Sequence, residues 1–166
     1  EMTSDADRVI RALKIMSEKT GIHGMLGGQS VDVENDGKEI SREMLDYIYE
    51  HKTSALIEAS MMAGAVLGGA DEEQTALIEK AASAIGMAFQ IQDDILDVTS
   101  TSQELGKPIH SDEKNHKVTY VTLFGVEKAS EQVLQFSEQA QSILENLSNK
   151  NKFLTALIME MASRRK

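Results

Sequence analysis

The sequence feature that most constrains this chain is residues 86–97, GMAFQIQDDILD, in which three aspartates interrupt an apolar run. At about 100° per residue, the polar residues of this run share a helical arc of roughly 100°. They are Gln90, Asp93, Asp94 and Asp97. The opposite side is apolar and carries Ile85, Ala88, Ile91 and Ile95. The run therefore predicts a helix with carboxylates along one side and core residues along the other.

Adjacent carboxylates repel each other and lose hydration when partly buried, so they stay ionised together only beside a cation. Hard oxygen ligands suit Mg²⁺, which takes one or two carboxylates, keeps several waters and completes its shell with substrate phosphate. A solvated acidic face is the alternative, but Phe89, Ile91 and Leu96 leave little of the helix free to contact water. The aspartates therefore predict a magnesium site that includes a phosphate.

The composition indicates a single helical domain. The chain has 166 residues, enough to bury a sizeable core. Hydrophobic residues make up 41% and aromatic residues only 4%, so the core must consist mainly of aliphatic residues and methionine. A single proline, Pro108, permits long uninterrupted helices.

Several classes of protein are excluded or disfavoured. A net charge of −10 argues against nucleic-acid binding, because phosphates would be repelled. The absence of cysteine excludes disulfides, thiolate metal sites and cysteine nucleophiles. No apolar run approaches the roughly 20 residues of a membrane span, and no signal peptide precedes the first predicted helix. We expect a cytoplasmic setting.

Residues 42–67 are predicted to form one helix, with an apolar stripe made of Leu45, Ile48, Tyr49, Leu56, Ala59 and Ala63. Lys52 projects from the middle of this stripe, within about 20° of its centre. Its ammonium group needs an anionic partner or must extend to solvent. A structural salt bridge and a bound phosphate or carboxylate are the two interpretations, and Thr53 offers an adjacent hydroxyl donor.

Further helices are predicted over residues 5–19, 72–100, 116–124, 126–147 and 151–163. Asp71 and Gln74 have the spacing of a capping box. Residues 24–32 contain three glycines, which cost roughly 1 kcal/mol each in a helix. They indicate close helix contact or space for a ligand, and an irregular loop is an equal alternative.

Residues 32–43 place acidic residues at several positions of a calcium-binding loop. Glu34 stands where such loops carry Asp or Asn, and the charged Glu39 stands where they carry an apolar residue. A polar turn that ends at Ser41, a helix cap, is the better interpretation.

Three lysines, Lys107, Lys114 and Lys117, follow the aspartates in sequence. Carboxylates beside cations are the arrangement needed to hold a metal-bound phosphate. Lysines in loops are usually only solvated, so this observation has weight only together with the aspartates.

Four segments resemble, in order, the motifs of the trans-prenyl diphosphate synthases, the family of farnesyl and geranylgeranyl diphosphate synthases. They are GMLGGQSVD (24–32), HKTSALI (51–57), FQIQDDILD (89–97) and GKPIHSDEKNHKVTY (106–120). The third is similar to the second aspartate-rich motif of that family, and the fourth to the lysine-bearing loop that follows it. The resemblance covers most of the chain and corresponds to the C-terminal part of such enzymes.

The resemblance implies an all-α fold, the isoprenoid synthase-type helical bundle around a central cavity. It also implies a short-chain prenyltransferase that uses Mg²⁺ to ionise an allylic diphosphate, whose cation isopentenyl diphosphate then attacks. A homodimer is a further family expectation.

The resemblance also assigns roles to residues. Asp93 is the expected direct magnesium ligand, with Asp94 and Asp97 supporting it through water or neighbouring contacts. The diphosphate-binding cations would be Lys52, Lys107 and Lys117. Thr53 and Gln90 would line the cavity near the allylic carbons, where their dipoles can stabilise a cation.

One departure from the family pattern is informative. The first aspartate-rich motif, DDxxD followed by an Arg pair, is absent before Lys52, as are the residues that bind isopentenyl diphosphate. With the opening Glu1-Met2, this predicts that residues 1–166 are the C-terminal part of a single isoprenoid synthase domain. The chain alone is then expected to be inactive and to act with a missing N-terminal half or a partner chain.

Two alternatives remain open. One is a non-catalytic subunit or fragment that completes a partner chain. The other is a class I terpene cyclase, although Asp97 and Thr101 stand where its motif, counted from Asp93, requires Ser and Glu.

Overall fold

The computed structural model describes residues 6–100, 117–147 and 151–163, and every regular element within those ranges is helical. In chain order the elements are α1 (Ala6–Thr20), α2 (Met25–Glu34), α3 (Arg42–Tyr49), a π-helical turn (Glu50–Ser54, the π turn), α4 (Ala55–Leu67), α5 (Glu72–Thr99), α6 (Tyr120–Glu145) and α7 (Lys152–Ser163). The predicted all-α fold is confirmed. None of these helices combines the length and apolarity needed to cross a membrane.

Helix α5 is the longest element and lies at the centre of the bundle, packed chiefly against α6 and α4. It begins with the predicted capping box. The side chain of Asp71 accepts a hydrogen bond from the Gln74 backbone N–H at 2.8 Å, and Gln74 Oε1 accepts one from the Asp71 N–H at 3.1 Å. These two bonds satisfy donors that the first helical turn would otherwise leave unpaired.

Two apolar clusters pack along α5. One surrounds its C-terminal half and includes Leu45, Ile48, Tyr49, Met87, Ala88, Ile91, Ile95, Tyr120, Ala129 and Val133. The other surrounds its N-terminal half and includes Ala81, Ala84, Ile85, Ala140, Leu144 and Ile158. The small alanines let α6 approach α5 closely, and the first cluster packs around the aspartate end of α5.

The predicted single helix over residues 42–67 is wrong in one respect, because the π turn interrupts it. Ser54 Oγ donates a hydrogen bond to the carbonyl oxygen of Tyr49, five residues earlier, at 3.2 Å. A π turn adds one residue to a helical turn and is frequently found at functional sites. Lys52 and Thr53 both lie in this widened turn.

Two glycines make room for the π turn. A Cβ atom on Gly28 of α2 would lie 2.4 Å from the backbone nitrogen of Lys52. A Cβ atom on Gly86 of α5 would lie 2.2 Å from Ser54 Oγ. Both distances are shorter than any normal contact, so only glycine fits. Of the interpretations of the glycines in residues 24–32, close helix contact therefore holds for Gly28.

The remaining boundaries agree well with the sequence. Helix α6 contains a kink at Gly125, whose φ of 80° and ψ of 162° are not helical, between the two helices predicted there. Ser41 caps α3, as predicted, by accepting a hydrogen bond from the Met44 N–H at 3.3 Å. Asp32 lies within α2 and not in a loop, which agrees with the rejection of a calcium loop.

A group of three charged side chains joins α1 to the centre of the bundle. Lys19 Nζ lies 2.5 Å from a carboxylate oxygen of Glu58 in α4 and 2.5 Å from one of Glu79 in α5. Burial alone would lower the pKa of Lys19, but its hydrogen bonds to Glu58 and Glu79 outweigh that effect and the pKa is raised. This group fixes α1 against α4 and α5.

Candidate functional site

The π turn and helix α5 meet through a direct side-chain contact. Thr53 Oγ1 donates a hydrogen bond to Gln90 Oε1 at 2.8 Å. Gln90 lies three residues before Asp93, so the two share a side of α5. The structure therefore joins the turn that carries Lys52 and Thr53 to the side of the helix that carries the aspartates.

Lys52 and Lys117 both contact one carboxylate, that of Asp32. Lys52 Nζ lies 2.5 Å from Asp32 Oδ2, and Lys117 Nζ lies 3.4 Å from Oδ1. These residues come from α2, the π turn and the segment before α6. Lys52 therefore has the anionic partner that its place in an apolar stripe required.

Asp32 is a site residue to which sequence reasoning gave no role. It was visible only as the last residue of GMLGGQSVD and as a position in the rejected calcium loop. The signal that identifies it is its place four residues after Gly28, since residues i and i+4 share one side of a helix. That side of α2 packs on the π turn.

The electrostatics of this group favour an ionised Asp32. Burial would raise the pKa of Asp32, but the hydrogen bond from Lys52 and the charge of Lys117 outweigh it, and the pKa lies below its ordinary value of 3.8. One carboxylate and two ammonium groups leave a net charge of +1. The three side chains together are therefore positively charged although Asp32 itself is negative.

The three aspartates of α5 occupy different environments. Asp94 is buried, and its Oδ2 accepts hydrogen bonds from the Tyr49 hydroxyl at 2.7 Å and from the Tyr120 backbone N–H at 3.0 Å. Asp97 is also buried, whereas Asp93 is half-buried. The three aspartates share one helical arc in the sequence but differ in burial in the structure.

Asp94 fixes the N-terminus of α6 through its bond to Tyr120. The Tyr120 ring is fully buried, stacks on Tyr49 with centroids 5.8 Å apart, and its hydroxyl donates a hydrogen bond to Asp46. Burial and the bond to Asp46 raise the pKa of Tyr120. Lys117, three residues earlier, is thereby held near Asp32.

The residues present fit magnesium in part. Within the described ranges, no group of three or more His, Asp or Glu side chains is arranged to hold a metal ion unaided. Mg²⁺ needs only one or two carboxylates when waters and phosphate complete its shell. The half-buried Asp93 could supply one such carboxylate from α5. Lys107 lies outside the described residues, so its predicted role is not addressed by the structure.

Comparison with known proteins identifies the family. Residues 1–160 match the family model described as polyprenyl synthetase. The chain belongs to the polyprenyl synthetase family. It is 39% identical over 137 residues to farnesyl diphosphate synthase of Geobacillus stearothermophilus, covering 82% of this chain and 46% of that protein. It is 41% identical over 140 residues to the chloroplastic geranylgeranyl pyrophosphate synthase of Catharanthus roseus, covering 84% and 39%.

The fold of this polyprenyl synthetase chain is also that of solved structures. A geranyltransferase from Helicobacter pylori, complexed with magnesium and isoprenyl diphosphate, superposes with a TM-score of 0.80 at 31% identity, covering 96% of this chain and 52% of that one. The predicted resemblance and the isoprenoid synthase-type bundle are thus confirmed. The chain spans about half the length of the relatives that it matches.

A cavity in the described part of this polyprenyl synthetase chain lies at the other end of α5. It has a volume of about 470 Å³ and is lined mainly by the end of α4, the start of α5 and the end of α6. Gln74 lines it and precedes Asp93 by 19 residues, or roughly 28 Å along a helix. The cavity is therefore separate from the group that contains Lys52, Thr53, Gln90 and Asp32.

Proposed function

We propose that this chain supplies the second aspartate-rich side of a short-chain trans-prenyl diphosphate synthase, which condenses isopentenyl diphosphate with an allylic diphosphate. The observation that carries the proposal is the contact between Thr53 of the π turn and Gln90 of α5. It supports the proposal because Thr53 follows Lys52 in the π turn and Gln90 lies on the same side of α5 as Asp93. A diphosphate, its metal and an adjacent carbocation need those groups.

In this proposal the lysines bind the leaving group. Lys52 and Lys117, with Lys107 as a third candidate, contact the oxygens of the allylic diphosphate. As the bond between carbon 1 and oxygen breaks, its electron pair leaves with the diphosphate, and the ammonium groups offset the growing negative charge. Asp93 would hold Mg²⁺, supported by Asp94 and Asp97, and the metal when bound supplies further compensation of that charge.

Thr53 and Gln90 act on the other product of ionisation. The threonine hydroxyl donates to Gln90 Oε1, so the hydroxyl oxygen itself is left able to direct lone pairs towards the allylic cation. The double bond of isopentenyl diphosphate attacks carbon 1 and forms the new carbon–carbon bond. The resulting carbocation then loses a proton to the released pyrophosphate, which leaves a new double bond in the lengthened prenyl diphosphate. Pyrophosphate is the second product.

The site is completed by ligands from outside this chain, either a preceding segment of the same protein or a partner chain. Mg²⁺ binds at short, near-octahedral distances, so a cluster around a diphosphate needs carboxylates from facing helices. The surface supports this proposal. Large apolar side chains are exposed along α1, α2 and the segment between them at Val9, Ile10, Leu13, Met16, Ile22, Leu26 and Val33. A homodimer is a further possibility that we propose only on the family likeness.

The test is incorporation of radiolabelled isopentenyl diphosphate into prenyl diphosphate by the complete enzyme that contains this chain. We expect product with geranyl diphosphate and magnesium, and a large loss with Lys52→Ala. Lys80→Ala is the matched control, because Lys80 is an exposed lysine on α5. Equal activity of the two variants would contradict the assignment of Lys52, and no product from the unaltered enzyme would contradict the function.

A further inference from the structure

Asp32 is the member of the candidate site that the proposed function leaves without a role. Its side chain is 12% exposed, whereas those of Lys52 and Lys117 are 34% and 35% exposed. The carboxylate therefore lies beneath two more accessible ammonium groups, in contact with Lys52 through Oδ2 and with Lys117 through Oδ1. An anion that approaches this surface meets the lysines first.

Two ammonium groups this close repel each other unless a negative charge lies between them. Lysine side chains are also long and flexible, and holding each in one geometry costs conformational entropy. Lys52 and Lys117 are separated by 65 positions in the sequence, so local structure does not bring them together. A carboxylate in contact with both is what offsets the repulsion and limits their freedom.

The backbone independently fixes Asp32 beside Lys52. Gly28 lies one helical turn before Asp32, and a Cβ atom there would lie 2.4 Å from the Lys52 nitrogen and 2.7 Å from His51 Cβ. Helix α2 thus packs on the π turn with no space between them. The position of the carboxylate is set by this packing and does not depend on the ion pair alone.

We propose that Asp32 is a positioning residue, which holds Lys52 and Lys117 at the separation at which both ammonium groups bind one diphosphate. The inference rests on the proposed function. Asp32 does not touch substrate in this role, since its two oxygens face the lysines. Each ammonium has three N–H donors, so contact with one carboxylate oxygen leaves capacity for phosphate oxygens.

The kinetic signature follows from where the lysines act. Removing the negative charge of Asp32 leaves the attraction for a diphosphate intact or stronger, but it lets the ammonium groups move apart. Stabilisation of charge that develops on the leaving group is then lost, and such a loss lowers kcat more than it raises KM. A residue with a purely structural role would instead lower the amount of folded enzyme.

The experiment uses the complete enzyme with Asp32→Asn, Asp32→Glu and the control Asp36→Asn. Asp36 is an exposed aspartate in the turn after α2. Steady-state kinetics with geranyl diphosphate are measured per folded molecule, with the folded fraction taken from circular dichroism. We expect Asp32→Asn to lower kcat at least about tenfold with KM changed less than about threefold. Asp36→Asn should match the unaltered enzyme.

Asp32→Glu tests position separately from charge, because it keeps the carboxylate but moves it by one methylene. Its kcat should lie between those of Asp32→Asn and the unaltered enzyme. If Asp32→Asn does not fold, Asp32→Glu decides alone, with a kcat lowered several-fold as the expected result. Unaltered kcat in Asp32→Glu, or in folded Asp32→Asn, would overturn the inference.

Calorimetric titration with geranyl diphosphate separates this inference from the proposed function. If the unaltered enzyme binds and Lys52→Ala binds more weakly, the proposed function stands whatever Asp32→Asn does. If the unaltered enzyme does not bind geranyl diphosphate, the proposed function fails and Asp32 loses its proposed role with it.

Discussion

Replacing Lys52 by methionine should both destabilise the fold and weaken diphosphate binding, because its ammonium group contacts Asp32 and, in the proposed function, also binds a diphosphate. Methionine keeps an unbranched apolar stem but removes the 2.5 Å contact to Asp32. The carboxylate then keeps Lys117 at 3.4 Å. A hydrogen bond to a charged group contributes about 1.5–3 kcal/mol, and the partial exposure of Lys52 moves the value towards the lower end.

We therefore expect Lys52→Met to lower the free energy of unfolding by about 1–2 kcal/mol. For a chain of this size that corresponds to a fall in Tm of about 2–8 °C. Affinity for geranyl diphosphate should fall by about tenfold or more, since a charged contact to phosphate is lost. Melting curves and calorimetric titration measure the two effects separately.

Two further variants show whether the loss of stability comes from the Asp32 carboxylate, which keeps only Lys117 as a partner. The double variant Lys52→Met with Asp32→Asn should recover part of the loss, because it leaves no buried charge without its partner. Lys80→Met should change neither property. A Tm at or above the unaltered value would refute a stabilising role for the Asp32 contact, and unchanged affinity would remove Lys52 from the diphosphate site.

Three other predictions concern the same site. Asp93→Ala in the complete enzyme should lower turnover at least about 10²-fold at saturating magnesium in a labelled-substrate assay, and near-normal turnover would contradict its role as a metal ligand. Asp94→Ala should act mainly by lowering Tm, since Asp94 accepts hydrogen bonds from Tyr49 and Tyr120. Because the folded-state pKa of Asp32 is lowered, its contribution to stability is present above pH 3.8 and is lost as the pH falls through the folded value. The free energy of unfolding, measured with a chemical denaturant, should therefore change less between pH 5 and pH 3 for Asp32→Asn than for Asp36→Asn. Residues 1–166 purified alone should condense no prenyl diphosphates, and robust product would mean that facing metal ligands lie within this chain.

Local features were predictable because they depend on residues three or four positions apart. The capping box at Asp71 and Gln74, the cap at Ser41 and the kink at Gly125 were all visible in the sequence and are all present. Each rests on a donor, an acceptor or a backbone conformation within one turn of the chain. Tertiary packing left these three local features unchanged.

The π turn was not predictable in the same way. The apolar residues around Lys52 predicted one continuous helix with Leu56 in its stripe. The residue added by the π turn changes the register, so Leu56 is exposed and Ala55 is buried instead. The cause of the π turn lies in other elements, where Gly28 and Gly86 approach the turn from α2 and α5. A glycine in the sequence indicates that another group packs closely against it but does not identify that group.

The environments of the aspartates escaped prediction for a related reason. A helical arc gives the direction of a side chain but not its neighbour. The buried Asp94 accepts hydrogen bonds from two residues that are distant in sequence. They are Tyr49, 45 residues away, and Tyr120, 26 residues away. Asp32 acquires its partners from segments 20 and 85 residues later. Such contacts follow from the packing of whole helices.

These environments also bear on how a metal can bind. Asp32 and Asp94 accept hydrogen bonds from protein donors, namely ammonium groups at Asp32 and a hydroxyl with a backbone N–H at Asp94. Using the oxygens of Asp94 as ligands would take them from two buried donors, the Tyr49 hydroxyl and the Tyr120 N–H, at a cost of about 1–3 kcal/mol for each group. In the proposed function the metal binds Asp93, which is the most accessible of the three aspartates of α5. One carboxylate leaves most of an octahedral shell to phosphate, water and facing ligands, and this is why α5 needs a second helix opposite it before the proposed reaction can proceed.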